Sequence, residues 1–331
     1  MCGLPQNNRK FPGALPRALQ RADIPLVKYS SSEVFREYAL THKADGERAF
    51  LVYSHDGEDG ICALIHRDMS ITPLTLISFK SAFLGTIFDV EIVKNERGAL
   101  ILIFDTLAVA GTAIHERAYH FRLDTARWFI RQHMCHGSEI QFETNDPPKY
   151  AHSNSGRDTT LKFATGPCST IHLKMKHIFP AHYGGKLAEP SYSTDGYIWT
   201  CINSPYEFYN NDSLFCFKWK PPILLTIDFR VTTPDYTMKR VSFDGEQCKH
   251  STDRGNFDLL VTHEGGESRF SAIEVHDDIT SDSIYECRWD INKWILVKPR
   301  YDKKKPNHLN TVLHTIQCIE ENVTLQELKD R

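Results

Sequence analysis

No run of about 18 consecutive apolar residues occurs in the chain, so no membrane-crossing helix is expected. It also has no CxxC pair. Its nine cysteines, at 2, 62, 135, 168, 201, 216, 248, 287 and 318, are scattered and odd in number, which argues against paired-cysteine zinc sites and a disulfide framework. With no signal peptide legible, they read as reduced thiols of an intracellular, non-secreted protein. The nearest approach to a metal cluster, His133, Cys135 and His136, lacks a second ligand pair at zinc spacing. There is no glycine-rich dinucleotide fingerprint and no H-C-x-x-x-x-x-R phosphatase loop, and Tyr183-Gly184-Gly185-Lys186 completes no phosphate loop. Nor is there an excess of cations: the formal charge of -3 argues against a broad basic face coating duplex DNA and leaves room only for local basic grooves.

What is there suits two folded domains. The chain has 331 residues, 41% hydrophobic and 24% charged, more than one ordinary core accommodates. Pro5, Pro12, Pro16 and Pro25 make the first 35 or so residues an extended lead-in. Segments 48–53, 61–66, 86–93 and 99–106 read as strands bounded by turn residues, and 114–133 as a helix; 145–165 reads as a long loop. Strands resume at 197–202 and 214–220, and Pro221-Pro222 ends the sheet, because neither proline donates to a ladder. Five short strands follow, at 224–231, 258–262, 271–275, 284–289 and 294–297, the number of an OB-type barrel. The end, 309–328, has helical character, with Asn322, Thr324 and Glu327 as capping candidates. The expected fold is therefore α+β: an antiparallel-sheet domain over 1–221, an OB-type β-barrel over 222–307, and a C-terminal helix in 308–331 free to return to the first domain.

Four elements carry chemistry. Lys43-Ala44-Asp45-Gly46-Glu47-Arg48 is a K-x-D-G-x-R hexapeptide set just before a strand. In 88–93 the strand period turns Phe88, Val90 and Ile92 one way and Asp89 with Glu91 the other, which aims a carboxylate at whatever lies opposite. Asp195-Gly196 is a corner feeding a hydrophobic strand. In 214–220, Phe215, Phe217 and Trp219 share one face and Lys218 with Lys220 the other, a pair that repels itself unless an anion such as phosphate lies between or the site is wet. Each piece alone has a plain reading as a turn or a solvated strand face, and so does the basic run Lys298 to Lys305 as a solvated loop. Their order does not.

That order resembles the covalent nucleotidyltransferase superfamily of DNA ligases, RNA ligases and mRNA capping enzymes. Arg300-Tyr301-Asp302-Lys303-Lys304-Lys305-Pro306-Asn307 looks like the R-x-D-K-x-x-P-N signature of capping guanylyltransferases, a form the ligases lack. The resemblance runs from about Tyr38 to Thr324 and is greatest to the compact capping enzymes of large DNA viruses, the chlorella virus type. It implies that Lys43 attacks the α-phosphate of GTP with a divalent ion, Mg2+ or Mn2+, present, and then passes GMP to a 5′-diphosphate RNA end. It further implies that Asp45 and Gly46 belong to the GTP site, that Arg48 and Arg67 contact the ribose and phosphate region, that Glu91 contacts the ribose, and that Phe104 stacks on guanine. Asp195 would assist the metal, with Glu91 a second metal candidate. Lys218 and Lys220 would grip the α-phosphate, and Arg300, Asp302 and Lys303 the β- and γ-phosphates, with Asp228 a further match. Val90 stands where the family often has glycine, which puts the local backbone in question. A separate RNA triphosphatase and a cap methyltransferase are the implied partners, and location in a nucleus or a cytoplasmic viral compartment stays open. The rivals are an ATP-dependent polynucleotide ligase and a noncatalytic RNA-binding protein of the same fold.

Overall fold

The computed structural model describes residues 10–28, 37–56, 59–76, 83–95, 98–133, 163–164, 170–180, 189–210, 213–234 and 252–329. Cys135, His136, most of the 145–165 loop and 183–186 lie outside the described residues. The chain forms two compact units, Met1–Trp219 with Leu328–Arg331, and Lys220–Glu327.

Two sheets build the first unit. One is ordered β1-β13-β12-β2-β11, from β1 (Arg17–Ala18), β2 (Tyr38–Ala44), β11 (Phe179–Pro180), β12 (Thr194–Cys201) and β13 (Cys216–Trp219). The other comprises β3 (Glu47–Asp56), β4 (Asp59–His66), β5 (Ile71–Leu76), β6 (Thr86–Asn95), β7 (Gly98–Val109), β8 (Thr112–Ala113), β9 (Phe163–Ala164) and β10 (Thr170–Met175). Pairing is antiparallel except for β1 on β13 and β10 on β7. The strand period sorts the second sheet as expected. Ala49, Leu51, Tyr53, Phe88, Val90, Ile101 and Ile103 are buried in one core with Ala126, Phe129 and Ile130 of helix α2 (Tyr119–His133), and Phe129 packs on Phe83 and Phe88. Phe50 faces the other way, into a smaller cluster with Leu107, Tyr206 and Phe11.

Three sequence expectations need correction here. The hexapeptide does not merely precede a strand: Lys43 is the penultimate residue of β2 and Arg48 the second of β3, so it crosses from one sheet to the other. The N-terminal lead-in is not wholly extended, since Arg21–Asp23 form a 3-10 turn and Ile24–Lys28 a short helix, α1; Pro25 is tolerated in a first turn because no intrahelical partner awaits its missing N–H. The α2 helix begins at Tyr119 rather than Ile114, whose amide bonds back to the Leu107 carbonyl.

In the second unit Pro222–Leu224 form a 3-10 turn, which delays β14 (Thr226–Thr232) by two residues. With β15 (Thr252–His263), β16 (Gly266–Thr280), β17 (Ser283–Asp290) and β18 (Lys293–Pro299) it makes a five-stranded antiparallel sheet ordered β16-β15-β14-β17-β18, with β16 also lying against β18, the OB type. The strands are longer than expected at β15 and β16. Phe229, Phe257, Leu259, Val261 and Cys287 fill its core with Val312 of helix α3 (Leu309–Glu321). The helical tail is interrupted at Asn322, whose left-handed backbone (φ 44°) ends α3. Thr324 and Glu327 then form the expected reciprocal cap on α4 (Leu325–Lys329).

Candidate active site

Lys43 donates from Nζ to Asp195 Oδ1 at 2.8 Å, and both side chains are about four-fifths buried. The register explains how Asp195 reaches it. On β12, Thr194 faces Ala44 and Gly196 faces Lys43, so Asp195 is one residue too many in the ladder and is turned out of it. β-Bulges of this kind re-aim a side chain and cluster beside active sites.

Phe104 is set the same way. Asp89 faces Asp105 and Val90 faces Ile103, which leaves Phe104 as the extra residue of β7. Two cations lie against its ring, Arg48 Cζ at 5.3 Å and Lys176 Nζ at 5.5 Å from the centroid. Lys176 is buried and pairs with Glu91 Oε2 at 2.7 Å. It follows directly on β10, whose parallel pairing with β7 carries it to Phe104; its amide bonds to the Ile103 carbonyl at 2.7 Å. Val90 is buried in the strand with no positive φ, so valine at this position is accommodated without strained dihedrals.

The Asp45-Gly46 crossing is fitted closely. A Cβ at Gly46 would meet the Ile92 carbonyl oxygen at 2.6 Å, Val93 Cγ1 at 2.8 Å and Glu91 Cγ at 3.0 Å. The glycine is therefore required by close approach to β6, next to the carboxylate. Gly46→Ala is expected to lower the unfolding free energy by about 1–3 kcal/mol, the usual cost of overpacking, as read by urea denaturation.

Arg48 is held from several sides. Its Nε donates to Asp89 Oδ1 (2.9 Å) and its Nη2 to Asp89 Oδ2 (2.5 Å) and to the Tyr206 hydroxyl (3.0 Å), while Nη1 donates to the Ala14 carbonyl. Asp89 is fully buried. Burial, the largest influence, opposes the Arg48 charge, but Asp89 and Tyr206 together with smaller contributions outweigh it and the guanidinium stays firmly protonated. Beside this pair a second one, Arg122 with Asp105, is also buried. Burial raises Asp105 above the ordinary carboxylate range, against the pull of Arg122.

Lys218, opposite Ile198 of β12, is exposed between buried Phe217 and Trp219, the alternation expected of β13. Lys220 lies just past the strand, as the first residue of the second unit. Asp45 is exposed on the crossing, its amide bonded to the Ser193 carbonyl. Arg67 is exposed on the β4–β5 turn, and among the described residues no hydrogen bond or ion pair joins it to Lys43, Asp195 or Glu91. Sequence reading missed Lys176 and Tyr206. A lysine closing the apolar strand 170–175 was the one available signal for the first.

Within the second unit the signature residues form their own cluster. Arg300 Nη1 donates to both oxygens of Asp228 (2.9 and 3.1 Å), Lys303 Nζ pairs with Asp228 at 2.7 Å, and Arg300 Nε and Nη2 grip Asp302 (2.9 and 2.7 Å). Asn307 clamps the backbone of Asp228 from both sides, accepting its N–H on Oδ1 and donating its own N–H to its carbonyl. The Arg300 hydrogen bond holds the Asp302 carboxyl down at about 2 from 3.8. Because that value is depressed in the fold, the contact contributes fully above pH 4 and is lost as pH falls towards 2. A carboxyl-carbon NMR titration is expected to place the Asp302 midpoint well below that of a free aspartate.

Among the described residues no group of three His, Cys, Asp or Glu side chains is arranged to hold a metal. Asp195 and Glu91 are each taken by a lysine.

A lysine beside a carboxylate and an aromatic ring with two cations against it lie in the first unit, and an OB-type unit follows in the sequence, features that suit a nucleotidyltransferase enzyme. The family model "mRNA capping enzyme, catalytic domain" matches residues 1–222, and "mRNA capping enzyme, C-terminal domain" matches 224–329. The chain belongs to the mRNA capping enzyme family. Relatives include the mRNA-capping enzyme subunit alpha of Schizosaccharomyces pombe, 22% identical over 96% of this chain and 79% of its own length. The mRNA-capping enzymes of Danio rerio and Mus musculus are 25% and 26% identical over 96% of this chain, which spans about half (49%) of each. A chain of mycobacterial DNA ligase D complexed with ATP and MES aligns with 88% of this chain at TM-score 0.44 and 12% identity, too weak a likeness to weigh.

Proposed function

We propose that the chain is an mRNA guanylyltransferase working through a lysyl-GMP intermediate on Lys43. The observation that carries the reading is Lys43 Nζ held at 2.8 Å by Asp195 in the hexapeptide crossing, within a member of the capping family. In the first step the Nζ lone pair attacks the α-phosphorus of GTP. A P–N bond forms, the bond from the α-phosphorus to the bridging oxygen of the β-phosphate breaks, pyrophosphate leaves, and the amine gives up a proton. Asp195 is the group within reach of that proton. In the second step a terminal oxygen of 5′-diphosphate RNA attacks the same phosphorus, the P–N bond breaks, and lysine is restored as the GpppN cap forms. RNA triphosphatase action must supply that diphosphate end.

Positioning and charge neutralisation supply most of the acceleration in such transfers. Lys218 and Lys220 are assigned to the α-phosphate, and Arg300 and Lys303, gathered by Asp228, are cations suited to polyphosphate oxygens. A magnesium ion commonly takes one or two protein carboxylates and fills its shell with phosphate and water. Asp195 fits that single-carboxylate role for an ion arriving with GTP, which would neutralise phosphate charge.

Phe104 offers a face for the base, and Lys176 beside it has only donors to give. Guanine presents acceptors at O6 and N7, whereas adenine places a donor amine at the first position, so the pair favours GTP. Protein incubated with α-labelled GTP or ATP and a magnesium or manganese salt, then denatured, is expected to carry label from GTP alone and to release it to diphosphate-ended RNA. Lys176→Met should narrow the GTP preference by about tenfold or more, the worth of a hydrogen bond to a charged group. Label from ATP instead would favour a ligase.

A further inference from the structure

The N-terminal segment Phe11–Leu19, read from sequence as a lead-in, is built into the first unit at the point where Arg48 sits. Phe11 stacks on Phe50 with ring centroids 4.4 Å apart and planes at 23°, and Arg48 Cζ lies 5.7 Å from the Phe11 centroid. The guanidinium therefore has Phe11 as well as Phe104 against it. The backbone of Ala14 is engaged at both ends: its carbonyl accepts from Arg48 Nη1, and its N–H donates to the Tyr206 hydroxyl at 3.1 Å. That hydroxyl also accepts from Arg48 and donates to Asp89, which uses its hydrogen and both lone pairs. Burial first, and Asp89 second, raise the Tyr206 phenol well above its ordinary value, so it remains a donor.

Gly13 is shaped to this contact. A Cβ there would run into the Phe11 ring and lie 3.0 Å from Arg48 Cζ. Further along, Arg17 and Ala18 pair in parallel with Phe217 and Lys218, and Leu19 N–H bonds to the Lys218 carbonyl at 2.9 Å. One continuous stretch of chain thus touches the arginine of the hexapeptide and the strand of the phosphate lysine. Four of the five Arg48 N–H groups are committed to Asp89, Tyr206 and Ala14, so its charge is set in place before any nucleotide arrives.

The geometry points to a positioning role for this segment: Phe11, Gly13 and Ala14, latched by Tyr206, hold the Arg48 guanidinium against Phe104 and so fix the nucleotide pocket. The inference rests on the guanylyltransferase reading for its kinetic consequence but not for its structural one. A preorganised group loses little freedom on binding, and loosening it weakens substrate affinity more than it slows chemistry.

Two measurements test this. In GTP-dependent labelling of Lys43, Tyr206→Phe is expected to raise the GTP concentration for half-maximal rate about tenfold, the order of one lost hydrogen bond to a charged group, with a nearly unchanged maximal rate. Combined with Arg48→Lys it should add little to the single change, since both act through one guanidinium. Additive effects, or a loss of maximal rate with unchanged half-saturation, would overturn the proposal. In the NMR spectrum of the full chain without nucleotide, the Arg48 Nε–H is expected to be resolved and slow to exchange, and to lose protection in Gly13→Ala. An Arg48 Nε–H that is unprotected, or indifferent to Gly13→Ala, overturns the positioning role even if the protein labels well. If the NMR result holds and the wild-type protein takes no label, the positioning role stands and the guanylyltransferase reading falls.

Discussion

Lys43→Ala is expected to leave no covalently bound nucleotide after incubation with α-labelled GTP and a divalent salt, with the protein still folded. The loss is expected to be complete rather than graded, because a transfer through an enzyme-bound intermediate stops without its nucleophile. The fold is expected to survive because Lys43 sits at the end of β2 with its ammonium in an ion pair rather than filling an apolar core, and alanine is accommodated in a strand end. Denaturing gel analysis of label gives the first half of the result and circular dichroism the second. An asparagine at Asp195 is expected to slow labelling without removing the site of attachment.

Asp89→Ala has the largest effect on stability. Its carboxylate is fully buried and takes two N–H groups of Arg48 and the hydroxyl of Tyr206, so truncation strands a guanidinium and a phenol in a site with little water. Breaking a buried pair from one side costs about 3–5 kcal/mol, a large share of the roughly 5–15 kcal/mol that holds a domain folded. Urea denaturation of the full chain should show the first transition moved to much lower urea. Replacing both members, Asp89→Ala with Arg48→Met, is expected to cost less than the single change, because no charge is then left unpaired. A single variant as stable as the parent would mean that water reaches Arg48.

The contrast between these two residues marks what was legible in the sequence. Lys43 was singled out by the spacing of charges around an Asp-Gly corner, and strand alternation correctly sorted Phe88, Val90, Phe217 and Trp219 into cores. Alternation also aimed Glu91 away from the core, where it meets Lys176. What it could not reveal are departures from alternation. Asp195 and Phe104 are each displaced from their ladders by one residue, and a bulge depends on the partner strand's register, which a single strand's sequence does not carry. Lys176 reaches Phe104 through parallel pairing of strands far apart in the chain, and Tyr206 reaches Arg48 from a loop after β12. No short-range pattern encodes either contact. The N-terminal segment misled for a related reason: its prolines announced an extended chain, which among the described residues holds up to Gln20 before 21–28 turn helical, but not what that chain would lie against.

The signature at Arg300–Asn307 was legible as a motif, and the second unit gives it a local physical logic. Asp228 and Asn307 fasten the segment to β14, and Asp228 collects the two cations that a solvated basic loop would leave apart.

The central claim is that Lys43 becomes covalently joined to GMP. Peptide mapping by mass spectrometry, after reaction with GTP and a divalent salt and digestion under conditions that keep the P–N bond, tests it most directly. A GMP adduct confined to the peptide containing Lys43 is the result predicted. An adduct on another lysine, Lys176 or Lys218 included, or none from GTP under conditions where the protein is folded, would contradict it.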